Sequence, residues 1–391
     1  MKLSDRITHI TGGGSDGWDT FYRARRMIAA GIDVTELNIG EHDTRTHPDI
    51  LHAMHEAAMN GHTGYATVPG TDSLRAAIAQ RITDRTGVPT TGANILVTPG
   101  GQAGLFAAHN AVCDQGDIAL FIDPYYVTYP GTIRSVGAIP KPIVTTPETG
   151  FQPNHAALQT AAAGAKSLLI NSPNNPTGAV YSAETMTTIA AACRDHDLWL
   201  ISDEVYDTQI WEGPHISPRA LPGMVDRTLV VGSMSKSHAM TGSRVGWICA
   251  PEHVIAHLIN LATHTTYGVA GYIQDAAEFA LGQGARVEDA VAAPFRRRRA
   301  LSLDVLAGQD TVKAVQSQGA MYLMLDIRAT GLTGEAFANA LLDAAQIAVM
   351  PGESFGQAAA GHIRIAMTID DARYVAALER IIAFAAAQAK Q

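Results

Sequence analysis

The chain has 391 residues, too many for one ordinary core, and the length fits one large domain plus a smaller one. A hydrophobic content of 47% with 36 Gly and 18 Pro excludes a disordered, collagenous or fibrous chain. A formal charge of -9 offers no electrostatic footprint for nucleic acid or an anionic membrane. The cysteines, Cys113, Cys193 and Cys249, are odd in number and widely spaced. They form no disulfide framework and no zinc site, so no metal is expected and a reducing cytosol suits them. The N-terminus is polar and leads into no apolar h-region, and no apolar run nears the roughly 20 residues that span a bilayer. A cytoplasmic protein without membrane or nucleic-acid partners is the expectation.

In chain order, the first feature is Gly12-Gly13-Gly14-Ser15-Asp16-Gly17, which spells G-x-G-x-x-G. The preceding Ser4 to Thr11 is too polar for a buried strand, so a dinucleotide loop fails on context. Short runs apolar on both faces follow: Asn94 to Thr98, Ile118 to Ile122, Ser167 to Ile170, Leu198 to Ile201 and Thr228 to Val231. Such runs suit strands buried on both sides of a parallel sheet. Helical stretches such as Ala103 to Val112 and Ser182 to His196 lie between them, and the alternation predicts an α/β fold with a doubly wound sheet. After about residue 285 the pattern changes. A long helix carries Arg296 to Arg299, which reads as a solvated face. Then come a strand over Met321 to Leu325, a helix over Gly334 to Ala344, strands over Ala348 to Met350 and His362 to Met367, and a last helix. The expected division is a large α/β domain over 45–285 and a smaller α+β domain from 286–391 with the arm 1–44.

In open α/β sheets ligands bind at the carboxyl ends of the strands. Here those ends read Pro99-Gly100-Gly101-Gln102, Asp123-Pro124-Tyr125-Tyr126, Asn171 to Gly178, Ser202 to Tyr206 and Gly232 to Lys236. Lys236, among Ser233, Ser235 and Ser237, is a candidate nucleophile toward an aldehyde, with pyridoxal phosphate the standard partner. Asp203 offers the carboxylate that keeps a pyridine nitrogen protonated, or else a helix N-cap. Tyr206 and Asn175 suit the phenolic oxygen of that cofactor, although Asn in Asn-Pro-Thr-Gly also suits a turn. Tyr126 is either a ring-stacking residue or core. Gly100, Gly101 and Gln102 open a helix and make an anion site, which Ser233, Ser235 and Arg244 complete. Arg364, alternating with apolar residues on a strand, needs an anion, either a substrate carboxylate or a protein acid.

These motifs, with Leu37-Asn38-Ile39-Gly40-Glu41, Gly64-Tyr65, Gly70, Leu74-Arg75 and Arg244 to Trp247, occur in one order. Over essentially its whole length the chain resembles the class I/II, fold type I, pyridoxal-phosphate-dependent aminotransferases. The resemblance implies a large domain with a mostly parallel seven-stranded sheet and a smaller α+β domain. It implies that Lys236 binds the cofactor covalently and that Asp203 faces the ring nitrogen. Tyr206 and Asn175 take the phenolic oxygen, and Tyr126 the ring face. Gly100 to Gln102, Ser233, Ser235 and Arg244 take the phosphate, and Gly40, Asn175 and Arg364 the substrate. Tyr65 would reach the phosphate in a partner subunit, so a homodimer with shared sites is implied, and Tyr267 would border the partner's site. The implied reaction moves the amino group of an L-amino acid to a 2-oxo acid in a ping-pong cycle, with a C–S β-lyase on the same scaffold as the alternative. His196 to Trp199, Ser217-Pro218, Leu221 to Met224 and Ser237 to Gly242 look like bacterial arginine–pyruvate aminotransferases. Ser243 and His42 depart from the usual pattern, which carries a bulky aromatic and a proline there.

Overall fold

The computed structural model describes residues 1–14 and 17–390. Ser15 and Asp16 of the glycine-rich run lie outside the described residues; Gly12 and Gly13 sit in a turn after the short helix Asp5–Thr8, not at a strand end.

A seven-stranded sheet organises the middle of the chain. Its strands are β1 (Ile95–Thr98), β2 (Ile118–Asp123), β3 (Ile139–Val144), β4 (Ser167–Asn171), β5 (Trp199–Asp203), β6 (Thr228–Ser233) and β7 (Gly246–Cys249). The spatial order is β1-β7-β6-β5-β4-β2-β3. Every pairing is parallel except those of β7, which is antiparallel to both β1 and β6. The five expected apolar runs are all strands of this sheet. The two strands that were not expected have physical reasons for being silent. β3 reads Ile-Pro-Lys-Pro-Ile-Val and lies at the sheet edge, where proline costs no ladder bond and several side chains face solvent. β7 is only Gly-Trp-Ile-Cys, short and without alternation.

Side-chain period two splits the strands between two cores. Leu120, Leu168 and Leu200 stand in register and face Ile189, Ala190 and Cys193 of the helix Ala183–Asp195. Their neighbours Phe121, Leu169 and Ile201 face the other way, against Leu105 and Ala108 of the helix Gly101–Val112 and Ile255 and Leu258 of Glu252–Thr263. Ser182 caps its helix, its hydroxyl accepting from Thr185 N at 3.1 Å.

The second sheet has four antiparallel strands, β8 (Lys313–Ala314), β9 (Tyr322–Asp326), β10 (Met350–Pro351) and β11 (His362–Ala366), in the order β10-β11-β9-β8. The helices Ala285–Leu306, Gly334–Ala345 and Asp371–Gln388 cover it through Phe295, Phe337, Leu341, Tyr374 and Leu378. The strand expected over Ala348 to Met350 is divided at Val349. Ile347–Ala348 pairs in parallel with Thr35–Glu36, and the chain then changes sheets to form β10. That pairing carries Leu37 to Gly40 in between the two sheets, where Leu37 O accepts from Ala366 N at 2.7 Å. Among the described residues no helix is long and apolar enough to cross a membrane.

One expectation is corrected. Arg296 to Arg299 is a solvated face only in part: Arg296 and Arg297 are exposed, but Arg298 is 3% exposed. It forks onto Asp43, with Nη1 to Oδ1 at 3.0 Å and Nη2 to Oδ2 at 2.6 Å, and donates Nε to Asp371 at 2.9 Å and Nη1 to Met367 O at 2.9 Å. A 22-residue helix presents three or four faces, and four consecutive arginines sweep most of its circumference, so one of them must turn inward. Arg298→Leu is expected to destabilise the protein by about 2 kcal/mol, less than a fully buried pair because both acids are partly exposed. Urea unfolding of the variant against the parent measures it.

Candidate active site

The parallel strands all end at one edge of the large sheet, and a cavity of about 300 Å³ opens there against the second sheet. Gly101, Gln102, Tyr126, Asn175, Asp203, Tyr206, Ser233, Ser235, Lys236, Arg244, Gly40 and Arg364 all line it. The sequence therefore anticipated most of its wall. Gly100 stands immediately behind, at the N-cap of the helix Gly101–Val112. Its φ is +83°, and a Cβ there would lie 2.4 Å from Arg244 Nη2, so glycine lets the guanidinium approach the helix end. Arg244 Nη1 donates to Thr241 O at 2.9 Å. Ser233 accepts from Ser235 N at 3.1 Å and donates to Ser235 Oγ at 2.9 Å. Backbone N–H groups, two hydroxyls and a guanidinium thus converge on an anion-sized corner.

Asp203 ends β5 at 4% exposure. Tyr129 donates its hydroxyl to Oδ2 at 2.6 Å, and Val205 N reaches Oδ1 at 3.3 Å. No Lys, Arg or His pairs with it among the described residues. Burial pushes its pKa up to about 6, against those two hydrogen bonds, which hold it down. Lys236 stands across the cavity in the short helix Met234–Ser237. Its Nζ donates to Gly40 O, and its own carbonyl accepts from His42 Nε2 at 3.0 Å and Gln209 Nε2 at 3.2 Å. Burial moves the ammonium below the ordinary lysine range, with Tyr322 and Glu41 opposing and Arg364 and Arg244 assisting. His42, one of the two departures, therefore anchors the backbone under Lys236; burial lowers its pKa to about 4, so the ring is neutral.

Arg364, on β11, is 2% exposed. Nη1 donates to Asn175 Oδ1 at 2.9 Å and Nη2 to Asn38 O, while Nε has no partner. The guanidinium carbon lies 4.4 Å from the ring centre of Tyr322 and 4.6 Å from that of Phe355. No carboxylate meets it among the described residues, and burial lowers its pKa. Asn175 is itself fixed, its N–H donating to Asn171 Oδ1 at 2.8 Å. Tyr206 shares a hydrogen bond with Tyr322 at 3.1 Å between hydroxyls, and burial holds its phenol well above the usual range.

Tyr65 is the predicted residue that the fold does not bring to this cavity. It is 91% exposed, and its ring meets that of Tyr267, 53% exposed, with centroids 5.2 Å apart. Tyr322 and Tyr129 were missed. Tyr322 sits in an unbroken apolar run and reads as core; Tyr129 sits three residues after Tyr126, a helical spacing that gave the only signal. Trp18, Glu41 and Thr241 also line the wall.

Residues 32–381 match the family described as aminotransferase class I and II. The arginine–pyruvate transaminase AruH of Pseudomonas aeruginosa is 40% identical over 94% of this chain and 94% of its own length. An aspartate/prephenate aminotransferase of Thermus thermophilus is 36% identical over 92% of each chain. Among solved structures, the aspartate aminotransferase of Thermus thermophilus with maleate superposes with a TM-score of 0.92 at 33% identity, covering 98% of this chain and 100% of that one. The chain belongs to the class I and II aminotransferases, with the fold type I architecture and pyridoxal 5'-phosphate as cofactor.

The raised carboxyl at Asp203 fixes a pH dependence. Its folded pKa of about 6 exceeds the unfolded 3.8, so the folded protein holds this proton more tightly. That contribution is full below pH 3.8 and is lost as pH rises through about 6. In cofactor-free protein Asp203→Asn is therefore expected to add about 3 kcal/mol at pH 8 and nothing near pH 4. Urea unfolding across that range checks it.

Proposed function

We propose that this aminotransferase takes its nitrogen from an L-amino acid with a cationic side chain, arginine, and gives it to pyruvate. The observation that carries the donor is the charge inventory of the cavity wall. Its cations are Lys236, Arg244 and Arg364, and each has a task in the reading below. On this wall none remains for the second carboxylate of a dicarboxylic donor. Glu41 is the acid left over, exposed at the rim and accepting from Thr241 Oγ1 at 3.3 Å. The relative at 40% identity is named for arginine and pyruvate.

The wall fits the cofactor. Asp203 is a buried carboxylate without a cation among the described residues, Lys236 is an amine whose ammonium burial disfavours, and the Gly100–Arg244 corner is an anion cradle. In this reading Asp203 faces the ring nitrogen, Lys236 holds the aldehyde carbon, and Tyr206 and Asn175 face the phenolic oxygen. Tyr126 covers the ring, and Gly100, Gly101, Gln102, Ser233, Ser235 and Arg244 take the phosphate. When bound, pyridoxal phosphate supplies a carbonyl that carries nitrogen between two acids and a protonated ring that withdraws electrons.

The chain's own groups do the rest. Arg364 fixes the substrate carboxylate, because its buried guanidinium has donors to spare and no protein anion to satisfy them. With the carboxylate fixed, the substrate Cα lies between Arg364 and Lys236. Lys236 Nζ, whose ammonium burial holds below the ordinary lysine range, takes the Cα proton as a general base once it is neutral. Gly40 O accepts the resulting ammonium. Asp203, ionised when a cation faces it, would keep the ring nitrogen protonated.

The same reading divides the chain into a large domain over 45–285 and a small one over 1–44 and 286–391, with the site between them. It seats a second copy on the exposed Tyr65–Tyr267 pair, two aromatic rings that a monomer has little reason to present to water. The three buried, unpaired thiols suit a reducing cytoplasm, where we place the enzyme.

The test is a titration of holoenzyme with single amino acids, following loss of the cofactor aldehyde's absorbance. Arginine is expected to convert it at the lowest concentration, and Lys236→Ala to abolish conversion. Glu41→Gln should raise the half-saturating arginine about fivefold and leave alanine unchanged, the size of one exposed ion pair. Faster conversion by aspartate or glutamate overturns the donor assignment, and ammonia release with pyruvate overturns the reaction.

A further inference from the structure

Asp123 ends β2 on the same sheet edge but takes no part in the reading above. It is 2% exposed and has no cationic partner among the described residues. Its carboxylate accepts from Gln357 N at 3.0 Å and from Ala358 N at 3.3 Å, both in the loop between β10 and β11. Two residues on, Tyr125 N donates to Phe355 O at 3.0 Å. Three hydrogen bonds thus tie one strand end of the large sheet to residues 355–358, which belong to the second. Between them stands Gly356 at φ +113°, where a Cβ would lie 2.1 Å from Asp123 Oδ1. Glycine here lets the loop close onto the carboxylate.

Phe355 is the residue that this loop presents, and its ring covers one face of Arg364. A second ring on the guanidinium is that of Tyr322 from β9, within the sheet of Arg364 itself. The Tyr322 side is therefore set by strand register, whereas the Phe355 side depends on how the loop is held. On its outer side the loop borders a cavity of about 1080 Å³, lined by Asp123, Gly356 and Gln357, while on its inner side Phe355 is fully buried with Met324, Met350 and Ala359, so the outer side is held by the Asp123 contacts and not by packing. Burial pushes the Asp123 carboxyl up to about 6 in spite of the two N–H donors, so the folded protein retains this carboxylate at a cost.

We propose that Asp123 is a positioning residue for substrate carboxylate binding: by holding residues 355–358 to the end of β2 it keeps Phe355 on Arg364 and fixes the guanidinium. The proposal rests on Arg364 being the carboxylate anchor. A guanidinium with one free face can tilt off the substrate axis, and a bidentate contact tolerates little tilt. The predicted defect is in binding, because Asp123 touches neither Lys236 nor Asp203.

The probe is L-alanine, whose methyl side chain reports little besides the carboxylate, titrated into holoenzyme beside L-arginine. Asp123→Asn turns one acceptor into a donor facing an N–H, and should raise both half-saturating concentrations about tenfold, with the limiting conversion rate within about threefold. Gly356→Ala attacks the same contact from the other side and should do likewise, and the double variant should be no worse than the poorer single one. Phe355→Leu keeps the core apolar, removes the ring, and must raise the same half-saturations even if the other variants fail to fold. Unchanged half-saturation in Phe355→Leu, or additive losses in the double variant, overturns the proposal. A lowered melting temperature with unchanged half-saturation in Asp123→Asn assigns a purely structural role and overturns it too. Arg364→Ala runs alongside: if that variant binds alanine as tightly as the parent, the anchor reading fails, and the Asp123 result is judged separately from it.

Discussion

A carboxylate buried at the end of a strand without a cation is the constraint on which the site depends. Asp203 is held by a phenol and one backbone N–H, and neither neutralises it. The cost is visible in its pKa of about 6. A protein that needed only a helix cap at this position would use an exposed one, because a solvated carboxylate caps as well and carries no desolvation cost. Lys236 and Arg364 repeat the pattern with the opposite sign, each lowered by burial and neither paired with an acid among the described residues. The cavity is a set of charges completed by what binds there. Charge left unpaired in this way is a stability penalty that a bound anionic and cationic ligand removes, which is why cofactor and fold belong together in one thermodynamic unit.

Rigidity makes that arrangement tolerable. Asp203 ends one parallel strand and Lys236 follows another, and the interiors of these strands are buried between two layers of helices. Such strand ends cannot relax toward solvent to relieve a buried charge, so pKa values stay displaced. The antiparallel strand β7 adds a further constraint. Its entry at Gly246 packs against Gly232 and Gly100, and it begins two residues after Arg244. The phosphate-sized corner is thus built where three chain segments touch backbone to backbone.

Legibility followed the physics of burial. Strands β1, β2, β4, β5 and β6 declare themselves because a short run apolar on both faces fits little besides a strand covered on both sides. The edge strand β3 does not, since an edge tolerates the prolines that argue against a strand. Site residues that are polar in apolar surroundings, such as Lys236, Asp203, Asn175 and Arg364, stood out for the same reason. Tyr322 did not, because a tyrosine among Met and Leu looks like core, and Tyr129 did not, because only the folded chain brings its hydroxyl to Asp203. Arg298 shows the converse. Its burial arises from contacts with Asp43 and Asp371, 255 and 73 residues away, which no local pattern encodes.

The site straddles two sheets, and this separates what the sequence settles from what it leaves open. The chemistry-bearing groups come from one sheet edge, so their mutual geometry is set by strand register alone. Arg364, the proposed carboxylate anchor, comes from the other sheet, and its position relative to Lys236 depends on long-range contacts: Asn175 to Arg364, Leu37 to Ala366, and Asp123 to the 355–358 loop. A shift of about one ångström between sheets would leave every side chain in place locally and still misalign the substrate Cα with its base. Reaction type is therefore the robust property of this architecture, written into one rigid layer. Substrate choice is the adjustable one, because in the proposed reading it rests on rim residues such as Glu41 and on a few hydrogen bonds that span the gap.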